Sequence, residues 1–113
     1  MKEVSYKLFF KAFSNSTRFK IITLLRQGPK NVTQICKKSG FEQSRVSHNL
    51  KALEACGFVH AMWNGKNKIY SLDKRHIVPI LRNIDQHIGK YSKRLEECGV
   101  LKGGKICQFV REV

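Results

Sequence analysis

A mainly α fold with a small β-hairpin, a winged helix-turn-helix, is what the 113-residue sequence predicts. Three features predict it. Two short helical periods, 31–40 and 43–56, meet at a turn that contains Gly40. Directly after Gly57 the spacing changes from helical to extended, around the hairpin signal Asn64-Gly65. Farther on, Ile77, Ile80, Leu81, Ile84, Ile88, Tyr91 and Leu95 recur three and four residues apart, the period of a long amphipathic helix.

The elements follow in order. Residues 3–13 place Tyr6, Phe9, Phe10 and Phe13 at i, i+3, i+4 and i+7, a helix with one aromatic face. Asn15 is positioned to cap a second helix, 17–26, whose buried side is predicted to be Phe19, Ile22 and Leu25 with Ile21 and Leu24 alongside. Gly28-Pro29 ends it. Asn31 and Gln34 form a capping pattern for the next helix, which turns Val32, Ile35 and Cys36 inward and Lys37 and Lys38 outward. Gly40 stops that helix, and a further one runs from Gln43 to Cys56. Two strands, 58–63 and 66–72, are expected around the Asn64-Gly65 turn. The last helix is expected to start near Asp73 or Lys74, with Pro79 kinking its first turns rather than ending it. Gly99 and Gly103-Gly104 end the regular part, and 105–113 read as a strand or a frayed end.

Lysine and arginine number 22 against 8 acids, a net charge of +14. The excess is shared by both halves of the chain, with no basic tail, so it belongs to a folded surface. Such a surface favours a polyanion, nucleic acid before anionic membrane. The 42% apolar content excludes a disordered chain. No apolar run approaches the ~20 residues of a spanning helix and none of export type follows Met1, so no membrane and a cytoplasmic location are expected. Four cysteines, Cys36, Cys56, Cys98 and Cys107, form no C-x-x-C pair, which excludes a zinc ribbon or a thioredoxin-type motif. They are expected as reduced thiols used mostly in packing, Cys56 among them. No nucleophile–base spacing and no phosphate-cradling glycine loop point to an enzyme.

The helix from Gln43 has a defined free side. With Val46 at 0° and about 100° per residue, Val46, Leu50 and Leu53 form an inner stripe. Ser44, Lys51, Ala55 and His48 fall at about 140–200°, flanked by Ser47 and Arg45 at about ±100°. Small hydroxyls, an imidazole and cations can reach base edges without blocking approach to a groove.

The segments Ser16-Thr17-Arg18-Phe19-Lys20-Ile21-Ile22, Gln43-Ser44-Arg45-Val46-Ser47-His48-Asn49-Leu50-Lys51-Ala52-Leu53, Cys56-Gly57-Phe58-Val59 and Gly65-Lys66 before Ile69-Tyr70-Ser71-Leu72 resemble the ArsR/SmtB metalloregulators. The resemblance covers roughly residues 8–95 and implies a homodimeric, sequence-specific DNA-binding transcriptional regulator, a repressor. The apolar faces of the first and last helices, Tyr6, Phe9, Phe10 and Phe13 with Ile77, Ile84, Ile88, Tyr91 and Leu95, exceed what a core of this size covers and are expected to form the dimer seam. The resemblance puts Gln43, Ser44, Arg45, Ser47 and His48 in the major groove and Lys66, Asn67 and Lys68 on the wing, with Lys51 on the same free face. Residues 1–98 then form the DNA-binding domain with its C-terminal dimerisation helix, and 99–113 a tail. The sequence departs from the family at Glu42, where the family has a serine or threonine cap.

The effector sites of the family are mostly missing. The Cys-x-Cys pair at the start of the first helix-turn-helix helix is absent from 31–35. A zinc site across paired C-terminal helices would keep His76 and His87, eleven residues apart on one helix face, but its two acidic positions are Lys74 and Lys90. Asp73 stands one residue out of register. No cofactor is therefore expected, and zinc or another metal only through His76 and His87. Thiol switching has three candidates, Cys36, Cys98 and Cys107. The alternative from another class is a winged-helix module for RNA binding or protein assembly, without effector sensing.

Overall fold

The computed structural model describes residues 2–103. The elements are α1 (Glu3–Ser14), α2 (Ser16–Arg26), α3 (Val32–Ser39), α4 (Gln43–Ala55), β1 (Val59–Asn64), β2 (Asn67–Leu72) and α5 (Ile77–Glu96). The winged helix-turn-helix is as expected: five helices and one antiparallel hairpin. Met1–Val78 forms one compact unit, and a second begins at Pro79, within α5. Cys107 and the tail beyond Gly103 lie outside the described residues.

Local signals place the helix ends. The Asn15 side chain accepts from the Arg18 N–H at 3.0 Å and opens α2. Asn31 and Gln34 form the full capping box of α3, at 2.8 and 2.9 Å. Gly40 takes the left-handed conformation (φ 79°) that closes α3, its N–H reaching the Cys36 carbonyl. Glu42 precedes α4 without a side-chain cap, as its departure from the family implies.

The core lies where α2, α3 and α4 meet the root of the hairpin. Ile21, Ile22, Ile35, Val46, Leu50, Leu53 and Val59 are fully buried, with Leu24, Leu25, Phe58, Tyr70, Leu72 and Ile77 closing around them. Phe19 departs from expectation and is exposed. The buried residues of α2 are Thr17, Ile21, Ile22, Leu24 and Leu25, a stripe centred near Ile21, and Phe19 lies two positions, about 200°, around the helix from Ile21. The aromatic face of α1 divides as well. Phe9 and Phe13 meet the Phe58 ring at 5.1 and 5.0 Å, whereas Tyr6 and Phe10 are exposed, as are Val4 and Leu8.

The hairpin is shifted by one residue from its expected register. Asn64 pairs with Asn67, so the two-residue turn is Gly65-Lys66. Gly65 has φ 64°, and among the described residues no non-glycine has positive φ. That is the glycine-first pattern of a II′-type turn, not the double-positive I′ pattern that Asn-Gly suggests. A third backbone segment joins β2: Lys30 and Tyr70 exchange N–H···O bonds of 3.0 and 2.9 Å. The Lys30 side chain turns inward, and its ammonium donates to the carbonyls of Leu24 (2.9 Å) and Gly28 (3.2 Å). Burial lowers its pKa from the usual lysine value, and the Lys38 charge adds to this.

The last helix begins at Ile77, later than expected, after a turn over 74–76. Asp73 acts as its cap, one carboxylate oxygen accepting from the N–H groups of His76 (2.8 Å) and Ile77 (3.2 Å). Pro79 is then the third helical residue, where a missing N–H leaves no intrahelical bond unmade, so no kink is required.

Candidate nucleic-acid interface

The inner side of α4 fixes the helix by both packing and polar contacts. Val46, Leu50 and Leu53 are buried, and so is Asn49 on the same side. The Asn49 amide donates to the Arg45 carbonyl (2.8 Å), and its oxygen accepts from Arg18 (3.5 Å). Arg18 also donates to the Ala12 carbonyl (3.1 Å) and the Lys11 carbonyl (3.2 Å) at the end of α1. One guanidinium thus ties the last turn of α1 to α4. Sequence periodicity cannot find this link, because Arg18 and Asn49 are 31 residues apart.

The outer side matches the predicted face. Gln43, Ser44, His48 and Lys51 are exposed and Ser47 is half-buried. Arg45 is exposed as well, but its guanidinium is engaged within the fold. Its guanidinium lies 4.0 Å from the centre of the Phe41 ring, and Nε donates to the Thr17 hydroxyl at 2.9 Å. Arg45 therefore braces α4 against α2 and the turn.

On the wing, Lys66 and Asn67 are exposed at the tip. Lys68 is half-buried, its ammonium 5.4 Å from the Tyr70 ring centre and 5.9 Å from that of Trp63. Met62 and Trp63 were not among the expected site residues, yet they are 75% and 66% exposed.

Asp73 uses its second oxygen to hold His60 Nε2 at 2.7 Å, which joins β1 to the start of α5. Its carboxyl is held at about 2, chiefly by the His60 hydrogen bond and then by the His76 backbone N–H. His76 is exposed, with Nδ1 3.8 Å from the same carboxylate. His87 is exposed and stacks on Tyr91 at 4.7 Å, a ring that Lys90 and Arg94 also approach at 5.4 Å. Lysines hold the two acidic positions of the zinc site, and Asp73 is engaged by His60 and by the N–H groups at the start of α5, so His76 and His87 are the donors this chain keeps for it.

Cys36 is half-buried on α3, and Cys98 is buried. Cys56 departs from the packing role expected of it: it caps α4 and is exposed, lining a shallow apolar cavity of about 290 Å³ with Ser5, Leu8, Phe9, Ala12 and Phe58. No helix among the described residues is long and apolar enough to cross a membrane.

Comparison with known proteins agrees with this geometry. Residues 15–61, from the cap of α2 into β1, match the family model described as bacterial regulatory protein, arsR family. The HTH-type transcriptional regulator NmtR of Mycobacterium tuberculosis is 37% identical over 76 residues, 67% of this chain and 63% of NmtR. The solution structure of apo-NmtR superposes with a TM-score of 0.66 at 32% identity, covering 77% of this chain and 73% of that one. A probable mercury resistance operon repressor of Streptomyces lividans is 30% identical over 65% of this chain and 58% of its own length. The chain thus spans about three-fifths of these two relatives. The homodimeric winged helix-turn-helix DNA-binding domain Mb0332 of Mycobacterium bovis shares the fold, with a TM-score of 0.67 at 24% identity over 83% of this chain and 92% of that one. In sequence and in fold, the chain belongs to the arsR family of bacterial regulatory proteins.

Proposed function

We propose that the chain is a homodimeric, sequence-specific regulator of transcription that binds double-stranded DNA and acts as a repressor in the cytoplasm. The observation that carries this reading is α4. Its inner face is fixed by Leu50, Leu53 and the Asn49–Arg18 link, while Gln43, Ser44, His48 and Lys51 stand exposed on the outer face of a chain with net charge +14. Gln43, Ser44, Ser47 and His48 read base edges in the major groove, and Lys51, Lys66, Asn67 and Lys68 meet phosphates. Arg45 acts mainly by setting the angle of α4 from its seat on Phe41 and Thr17.

A second copy covers the apolar side chains left exposed on α1 (Val4, Tyr6, Leu8, Phe10) and on α5 (Ile84, Ile88, Leu95). Two reading helices about 34 Å apart would then span successive major grooves, and occupancy of a promoter would exclude polymerase. Thiol chemistry at Cys36, Cys98 and Cys107 is the effector class in keeping with the chain's own residues.

The test is selection from randomised duplexes, followed by competition of the selected duplex against scrambled DNA and structured RNA. The reading requires a two-fold related sequence bound at least a hundredfold more tightly than scrambled duplex. Equal or tighter RNA binding would favour an RNA-binding module instead. Sedimentation showing a monomer at micromolar concentration would remove the dimer.

A further inference from the structure

The wing exposes two large apolar side chains, Met62 and Trp63, to solvent. Met62 and Trp63 are neighbours in β1, so they occupy opposite faces of the ribbon. Trp63 pairs with Lys68 across the strands, one pair in from the tip pair Asn64–Asn67. Its face continues through Ala61 and Tyr70 to the buried Val59 and Leu72 at the root. The aromatic strip of this face therefore begins in the core at Tyr70 and ends in water at Trp63. Lys68 lies along the strip, 5.4 and 5.9 Å from the two ring centres. Lys66 sits in the turn beyond, and the whole segment 59–72 contains no aspartate or glutamate.

An indole that only filled the core would be covered, and a wing that only collected charge would need no indole. The combination of a flat apolar ring, an ammonium held beside it and no acid suits a partner with both apolar and anionic surface, repeated side by side. The sugar–phosphate chain of duplex DNA offers this: a deoxyribose face for the ring and a phosphate for the ammonium.

We propose that Trp63 is a DNA-contact residue of the wing, its indole packed on the sugar wall of a groove while Lys68 takes the adjoining phosphate. The proposal rests on the DNA-binding reading above and adds to it a sequence-independent apolar contact. Burying an aromatic side chain of ~150–250 Å² gives the wing affinity that salt does not screen. Base selection stays with α4.

Trp63 is the sole tryptophan of the chain, so indole emission reports this position alone. The full chain is titrated with dye-labelled duplex, and dye anisotropy is followed together with tryptophan emission and acrylamide quenching. The expected result is that the emission changes, and the quenching constant falls at least twofold, in step with anisotropy. Trp63→Phe should stay within about threefold of the parent affinity. Trp63→Ala, checked for native helix content, should weaken selected and scrambled duplex by the same factor, roughly tenfold, with an unchanged salt slope. Saturated anisotropy with unaltered indole emission and quenching would overturn the proposal while leaving DNA binding intact. Protection of the indole by rising protein concentration without DNA would overturn it in favour of a contact between copies. Absence of any anisotropy rise would instead overturn the DNA-binding reading itself, and this contact with it.

Discussion

The helix α4 and the wing both present polar and basic groups outward, but they are anchored in opposite ways. Three buried aliphatic residues and the Asn49–Arg18–α1 chain of hydrogen bonds hold α4 from beneath. The wing is fixed at its root by Val59, Tyr70, Leu72 and the Lys30 bridge, whereas among the described residues its outer half is held by strand pairing and the loose cation–aromatic contacts of Lys68. A surface that reads donors and acceptors must be placed to a fraction of an ångström, since a hydrogen bond weakens steeply with misalignment. A surface that meets sugar and phosphate tolerates adjustment.

The sharpest way to break this contrast is to remove its foundation. Leu50→Ala should lower unfolding stability by about 2–5 kcal/mol, whereas Trp63→Ala should change it by about 0.5 kcal/mol or less. Denaturant unfolding of the two variants makes the comparison, and equal losses would mean the wing tip is as structural as the helix. Next in size is the polar link. Asn49→Ala removes one of the three acceptors of the Arg18 guanidinium, the one on α4, and should cost about 1–3 kcal/mol of stability. It should also loosen discrimination between selected and scrambled duplex, because α4 loses its tie to α1.

Smaller effects separate the outer surfaces. His48→Ala should cost roughly 1–3 kcal/mol on the selected duplex alone. Lys66→Ala should weaken both duplexes alike and reduce the salt slope by about one. Titrations at several salt concentrations distinguish them, and a His48 loss that is equal on both duplexes would move base reading away from α4. The smallest effect belongs to the joint between β1 and α5. Asp73 has a folded pKa near 2, below its ordinary 3.8. Its stabilisation is complete above about pH 4 and disappears as pH falls through about 2. Asp73→Asn should therefore destabilise the protein at neutral pH and flatten the acid limb of the stability curve, as measured by thermal melts across that range.

The helix-turn-helix was legible because its determinants are local. Asn15, Asn31 with Gln34, and Gly40 each act within four residues, and the 3.6-residue period separates the faces of α4. Elements whose signal can be read in two registers moved by one or a few positions. Asn64-Gly65 and Gly65-Lys66 are both acceptable turns, and Asp73 can open a helix or cap one. Phe19 misled because an aromatic at helical spacing suggests core, while the actual stripe is set by what packs against it. What stayed hidden was long-range. Arg45 on Thr17 is 28 residues distant, and Trp63, one more apolar position of a predicted strand, gave no sign that its ring would face water.

Lys30 has a consequence for chemical reactivity. The residue is only 7% exposed and its ammonium is closed in by two carbonyls, while Lys51 and Lys66 project into solvent. An amine-acylating reagent at neutral pH will consume the outer lysines first and leave this one unlabelled for as long as the chain is folded. Neutralising the outer lysines removes the groups assigned to phosphate, yet the Lys30–Tyr70 joint keeps the wing attached to the loop before α3. Graded acylation should thus silence DNA binding in a protein that still melts cooperatively. Late labelling of Lys30, followed by mass spectrometry, would time the moment at which the wing root opens.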